Sequence, residues 1–160
     1  MKKDAFGELY CLYFKQVYLY AYSLCRNHHM AEDLTNDTFY KAMLALDKEV
    51  PSTKYWLLRV CRNLFFDFCR KNRDKILPLE DALLSRDEDP LEKLLQDEKH
   101  RRLYRAMQAL SQWDRELLTM FYYGECSIHW ISDFTGHSPG AVKTALSRAR
   151  SRLKNLMQEE

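Results

Sequence analysis

From Ser127 to Lys154 the chain spells a helix, a turn and a second, strongly basic helix. Ser138 can cap free backbone N–H groups, and Pro139 suits the first helical position. Val142, Leu146, Ala149 and Leu153 then recur at i, i+4, i+7 and i+11, which is one apolar stripe. At about 100° per residue the opposite face carries Gly140, Lys143, Thr144, Ser147, Arg148, Ser151 and Lys154. Lys143, Arg148, Arg150, Arg152 and Lys154 meet no acidic residue between Ser138 and Lys154. Small polar groups on such a face can approach base edges, while Arg and Lys can reach phosphates or guanine. Gly136 sits where the turn needs a permissive backbone. The segment therefore predicts a nucleic-acid partner. The plainer alternative is a solvated basic helix on an ordinary bundle.

The rest of the chain is expected to be helical as well. Only four Gly and four Pro in 160 residues argue against an all-β fold with many turns, and 46% hydrophobic residues suffice for a packed core. The expected fold is all-α: two small helical domains joined by a flexible acidic linker. The net charge of +2 says little, but its distribution says more. Residues 52–75 hold seven Lys/Arg (54, 59, 62, 70, 71, 73, 75) against two Asp/Glu (67, 74). Residues 76–98 hold two (86, 93) against eight (80, 81, 87, 88, 89, 92, 97, 98). Two basic blocks around an acidic one suggest two nucleic-acid contacts joined by something else.

Cys11, Cys25, Cys61, Cys69 and Cys126 are scattered, without C-x-x-C or Cys/His ligand spacing. They read as reduced, mostly buried thiols, with no metal site and no cofactor expected. No segment approaches the roughly 20 apolar residues of a membrane span. A soluble, cytoplasmic protein without direct membrane insertion is expected.

A first helix is read from Phe6 to Leu24, its tyrosines core or rim. His28 and His29 fall in a short connection and read as solvated. A second helix is expected from about Met30 to Leu46. Val50-Pro51-Ser52-Thr53 is a break whose Ser or Thr can cap the next helix. That third helix, about Lys54 to Arg73, is clearly amphipathic. Leu57, Val60, Cys61, Leu64, Phe65 and Phe68 fall on one side, and Arg59, Arg62, Asn63, Arg70 and Arg73 on the other, with Asp67 at its edge. Phe66 projects from the polar side. It can stack on an unpaired base or lie under arginine stems. Pro78 to Pro90 reads as a linker with a helical turn at Asp81–Ser85. Helices resume near Leu91 and run to about Leu110, and Asp114 is expected to cap another ending near Gly124.

Three segments together carry a family resemblance. Met30-Ala31-Glu32-Asp33-Leu34-Thr35-Asn36-Asp37-Thr38-Phe39 resembles a core-polymerase-binding segment. The run from Tyr55 to Lys71 (YWLLRVCRNLFFDFCRK) resembles a −10 element segment, and Gly140 to Arg150 (GAVKTALSRAR) a −35 recognition helix. In that order they resemble bacterial sigma factors of the extracytoplasmic-function (ECF) type, over nearly the whole chain. The resemblance implies a core- and −10-binding domain at 1–75, an acidic linker at 76–98 and a −35-binding helix-turn-helix domain at 99–160.

Asp33, Asn36, Asp37 and Tyr40 stand at i, i+3, i+4 and i+7, on one helix face. By resemblance that face meets the clamp of the largest subunits of RNA polymerase core. The resemblance implies −10 element contacts from Lys54, Trp56, Arg59, Arg62, Asn63, Phe66, Asp67 and Arg70. The arginines would take phosphates and Asn63 an exposed base edge, while residues 50–55 would capture a flipped base. Trp56 can pack under the melted junction or in the core. Ser138, Lys143, Thr144, Ser147, Arg148 and Ser151 would serve the −35 element. Promoter DNA, polymerase core and a cognate anti-sigma factor are the implied partners, with no small-molecule substrate. The linker would thread toward the polymerase active cleft.

One departure is local. The family commonly opens its first helix-turn-helix helix with Ser-x-x-Glu-Ile-Ala. This chain reads Ser127-Ile128-His129-Trp130-Ile131-Ser132, so the reciprocal capping glutamate is replaced by Trp130. The expected function is promoter recognition and opening. A stand-alone helix-turn-helix regulator is the alternative, but such proteins usually dimerise, and nothing offers a dimer helix. No nucleotide-binding Gly-rich loop, H-E-x-x-H or nucleophile elbow points to an enzyme. Energy for melting must then come from binding, since unstacking a base costs a few kcal/mol.

Overall fold

The computed structural model describes residues 3–45, 53–73 and 95–158. Seven α-helices run through them: α1 Lys3–Cys25, α2 His28–Ala45, α3 Thr53–Lys71, α4 Glu98–Ala109, α5 Gln112–Leu118, α6 Ile128–Thr135 and α7 Pro139–Gln158. Among the described residues there is no strand, and no helix is long and apolar enough to cross a membrane. Chain contacts divide the molecule into two compact units at Ser85/Arg86. The expected turn at Asp81–Ser85 and most of the 76–98 linker lie outside the described residues, as do Leu46 and the break at 50–52.

In the first unit α1, α2 and α3 all pack on one another. Tyr20, Phe39, Leu57 and Leu58 are essentially inaccessible and form its centre with Val17, Ala21 and Cys61. Each fully buried side chain of this size removes about 1.5–3 kcal/mol worth of apolar surface from water. α1 ends through Arg26, whose φ of 53° turns the chain left-handed while its N–H bonds the Tyr22 carbonyl. Asn27 then caps α2, its Oδ1 accepting from the Met30 N–H at 2.9 Å.

The expected connection at His28 and His29 is thus already helix. His28 is also not simply solvated. Its Nδ1 lies 2.5 Å from the Tyr18 hydroxyl and its Nε2 3.3 Å from Glu32, while His29 is exposed. Asn27 supplies the cap that lets the helix begin early. α3 buries Leu57, Leu58, Cys61 and Phe65. Phe68, expected on the apolar side, is exposed near the end of the helix.

In the second unit α7 packs on α4, α5 and α6. α4 begins at Glu98, where Asp97 caps it by accepting from the Lys99 N–H at 3.0 Å, while Leu91, where helices are expected to resume, lies outside the described residues. Asp114 is not a cap. Ser111 holds that place, its hydroxyl accepting from the Asp114 N–H at 3.2 Å. Asp114 instead lies buried and accepts from Arg152 of α7 at 2.6 Å. α5 also does not run on to Gly124 as α-helix. Thr119–Tyr123 forms a π-helical turn, closed by Gly124 N–H to the Thr119 carbonyl at 3.0 Å. A Cβ on Gly124 would stand 2.8 Å from the Met120 carbonyl oxygen, so the turn leaves no room for one.

The five cysteines form no disulfide; Cys25, Cys61 and Cys126 are buried, Cys69 half-buried and Cys11 exposed.

Candidate nucleic-acid interface

α6 and α7 are assembled from local signals. The Ser127 hydroxyl accepts from the Trp130 N–H at 3.0 Å, so α6 is capped without the usual glutamate. Trp130 stacks on Phe134 instead, with ring centroids 4.5 Å apart. The turn closes at Gly136, whose φ is 77°. Ser132 is buried, and its hydroxyl donates to the His137 carbonyl at 2.5 Å, tying α6 to the turn. The Ser138 hydroxyl then accepts from the Ala141 N–H at 3.2 Å, and Pro139 opens α7.

Val142, Leu146 and Ala149 are fully buried, which sets the rotation of α7. Ser138, Lys143, Thr144, Ser147, Arg148 and Ser151 all stand exposed. The structure therefore brings all six expected −35 positions onto accessible surface, on or next to one helix. The basic side chains do not share one environment. Arg152 is bonded to buried Asp114, whereas Arg148 stands on the open face. Arg150 meets the Tyr122 hydroxyl at 3.1 Å. Sequence alone does not point to this tyrosine, since 28 positions separate the two residues and no periodicity links them.

On α3, Arg59, Asn63, Phe66 and Arg70 lie at i, i+4, i+7 and i+11, one stripe opposite the buried side. Arg59, Asn63 and Arg70 are exposed, and Phe66 is half-buried. The Arg62 guanidinium lies 5.1 Å from the Phe66 ring centroid, so the arginine-covered arrangement is the one adopted here. Asp67 pairs with Arg70. Lys54 sits 4.9 Å from the Tyr55 ring centroid, and Trp56 is half-buried. The stripe combines exposed cations and an amide with a half-buried aromatic ring that Arg62 covers.

On α2, Asp33, Asn36, Asp37 and Tyr40 are all exposed. Tyr40 is 58% exposed and Leu44, one turn further on the same face, 65%. An acidic face continuing into uncovered apolar side chains is suited to a protein partner.

Among the described residues no group of three or more His, Cys, Asp or Glu is placed to hold a metal ion.

Two family models match the chain: sigma-70 region 2 over residues 9–75 and sigma-70 region 4 over residues 100–153. The chain is 32% identical over 151 residues to the ECF RNA polymerase sigma factor SigM of Bacillus subtilis (strain 168), covering 93% of each. It is 25% identical over 170 residues to the ECF RNA polymerase sigma factor SigW of the same organism, covering 98% of this chain and 91% of that one. Its fold is similar to that of the sigma factor RpoE from Bartonella quintana, solved with the anti-sigma factor NepR. The TM-score there is 0.70 at 24% identity, over 96% of this chain and 97% of that one. The chain belongs to the ECF RNA polymerase sigma factors of the sigma-70 family, and its function is that of a sigma factor in transcription initiation.

Proposed function

We propose that the three exposed faces divide the work of initiation. The exposed face of α7, with Ser138, Lys143, Thr144, Ser147, Arg148 and Ser151, binds duplex DNA at the −35 element. The α3 face, with Lys54, Trp56, Arg59, Arg62, Asn63, Phe66, Asp67 and Arg70, holds the parted −10 strands. The arginines take phosphates and Asn63 a base edge. Asp33, Asn36, Asp37 and Tyr40 of α2 dock on the clamp of polymerase core. The observation that carries this reading is the rotation of α7. Its apolar stripe is buried while every expected −35 residue remains accessible.

Residues 1–75 and 99–160 then act as two DNA-contacting modules joined by an acidic linker at 76–98. The protein performs no catalysis of its own and works in the cytoplasm. A cognate anti-sigma factor restrains it, as NepR accompanies the similarly folded RpoE. Co-migration with bacterial core RNA polymerase on gel filtration tests the reading. A stoichiometric complex is expected, and its absence across salts and related cores overturns the docking role of α2.

A further inference from the structure

Three arginines alternate along α7 as Arg148, Arg150 and Arg152, and the fold separates them. At about 100° per residue, Arg148 and Arg150 stand on opposite edges of the exposed face. Lys143, Ser147, Arg150 and Lys154 form one edge at i, i+4, i+7 and i+11, all exposed. Arg152 is withdrawn by buried Asp114. Arg150 has a different partner. Its Nη1 donates to the Tyr122 hydroxyl at 3.1 Å, a neutral acceptor that leaves the cation's charge uncompensated. Among the described residues no carboxylate pairs with it.

Tyr122 projects from an irregular turn. The π-helical stretch Thr119–Tyr123 leaves Tyr122 53% exposed, and three contacts lock the segment after it. Gly124 N–H reaches the Thr119 carbonyl, and Cys126 N–H reaches the Met120 carbonyl, each at 3.0 Å. The Cys126 thiol also contacts the Gly124 carbonyl at 3.6 Å. Glu125 takes a left-handed φ of 51° to complete the reversal. Phe121 supports the Tyr122 ring edge-on, with centroids 5.1 Å apart.

Arg150 lies eleven residues, or roughly 16 Å, along α7 from its first residue. A recognition helix reads bases with its N-terminal residues. A cation that far along and on the edge is placed for the backbone. We infer that Tyr122 is a positioning residue that holds the Arg150 guanidinium over a DNA phosphate at the edge of the groove occupied by α7. A guanidinium oriented by a neutral hydroxyl loses less freedom on binding and keeps its charge for the phosphate. The inference rests on the reading of α7 as the duplex-binding helix.

The test uses the full chain and a short random-sequence DNA duplex, with affinity measured by fluorescence anisotropy between about 50 and 200 mM salt. Arg150→Ala should lower the slope of log affinity against log salt by about 0.9, one phosphate contact. Tyr122→Phe should weaken binding about three-fold, the effect of one modest hydrogen bond, with the slope and the melting temperature unchanged. In the Arg150→Ala background, Tyr122→Phe should have no further effect. Arg148→Ala serves as the control for α7 itself. A reduced slope with Arg148→Ala but none with Arg150→Ala overturns the phosphate contact alone. An equal effect of Tyr122→Phe in both backgrounds, or a lowered melting temperature, overturns the positioning role. Absence of binding by the unsubstituted chain, or no effect of either arginine, overturns the reading of α7 and this inference with it.

Discussion

Between α1, α2 and α3 the buried polar residues are Ser23, Thr35, Thr38 and Thr53, whereas around α7 they include Asp114, Arg115 and Glu116. The hydroxyls of Ser23, Thr35 and Thr38 donate to the carbonyls of Tyr20, Ala31 and Leu34 at 2.5, 2.7 and 2.7 Å, each within its own helix. Between helices the Tyr18 hydroxyl meets His28 of α2 at 2.5 Å in a part-buried position, while the centre is apolar. The second set crosses between helices. Arg152 of α7 donates to Asp114 of α5, and Arg102 of α4 donates to the Met157 carbonyl at 2.6 Å. The Arg115 guanidinium donates to the Leu110 carbonyl, between α4 and α5. The three-helix unit is therefore centred on apolar contact and carries two of the proposed faces. The second unit fixes α7, the helix proposed to face DNA, partly with directional polar bonds. Directional bonds fix rotation and tilt better than apolar contact does, which matters where side chains must register on base edges.

The sharpest way to break the comparison is a cavity in the apolar unit. Leu57 is fully buried, and Leu57→Ala should cost about 3 kcal/mol. Urea unfolding should show the loss in the α1–α3 unit alone, with the α7 unit melting as before. A matching shift in both transitions would deny the units their independence.

Removing the interhelix charge pair should cost less but reach further. Asp114→Ala leaves Arg152 without its partner. Because that arginine's side chain is 57% exposed, water recovers much of the loss, and about 2 kcal/mol is expected. Duplex binding should fall as well, although Asp114 touches no DNA in the proposed arrangement. An unchanged DNA affinity at full folding would mean that the pair stabilises α7 without aiming it.

Gly124→Ala should come close behind, at about 1–2 kcal/mol, because the new methyl must displace the Met120 carbonyl. The backbone φ of −77° is ordinary, so the cost is steric and not conformational. Thermal unfolding of the variant checks it, and a neutral result would show that the π turn relaxes freely.

Much of this organisation could be read from residue order. The helix, turn and helix after Ser127 follow from Gly136, Ser138-Pro139 and the Val142–Leu146–Ala149 stripe, because caps and periodicity act within a few residues. The three candidate faces were legible for the same reason. The arrangements that escaped are those made by distant partners. Asp114 looks like a cap because capping is its commonest local use. Its burial is decided by Arg152, 38 positions away. Arg115 and Glu116 carry no local sign of being buried. The π turn has no periodicity of its own, and His28 joins α2 only because Asn27 takes the cap. Tyr122 and Arg150 meet across 28 positions, so neither alone suggested the other.

The smallest stability effects should accompany the clearest functional ones, on the exposed faces. Asn63→Ala, Arg148→Ala and Asp37→Ala each alter an accessible side chain and should stay within about 0.5 kcal/mol of the parent. Their functional losses should differ by face. Arg148→Ala should weaken duplex binding by removing a cation from α7. Asn63→Ala should spare duplex binding and impair strand opening, read with permanganate on unpaired thymines in the polymerase complex. Asp37→Ala should lower affinity for core polymerase and leave naked-DNA binding alone. Since each of these faces lies on a different helix, a shared defect cannot arise from one distorted surface. Equal loss of duplex binding in Asn63→Ala and Arg148→Ala would sink the division between parted and paired strands. It would mean that α3 binds DNA before melting, and that its half-buried Phe66 under Arg62 is a closed-duplex surface.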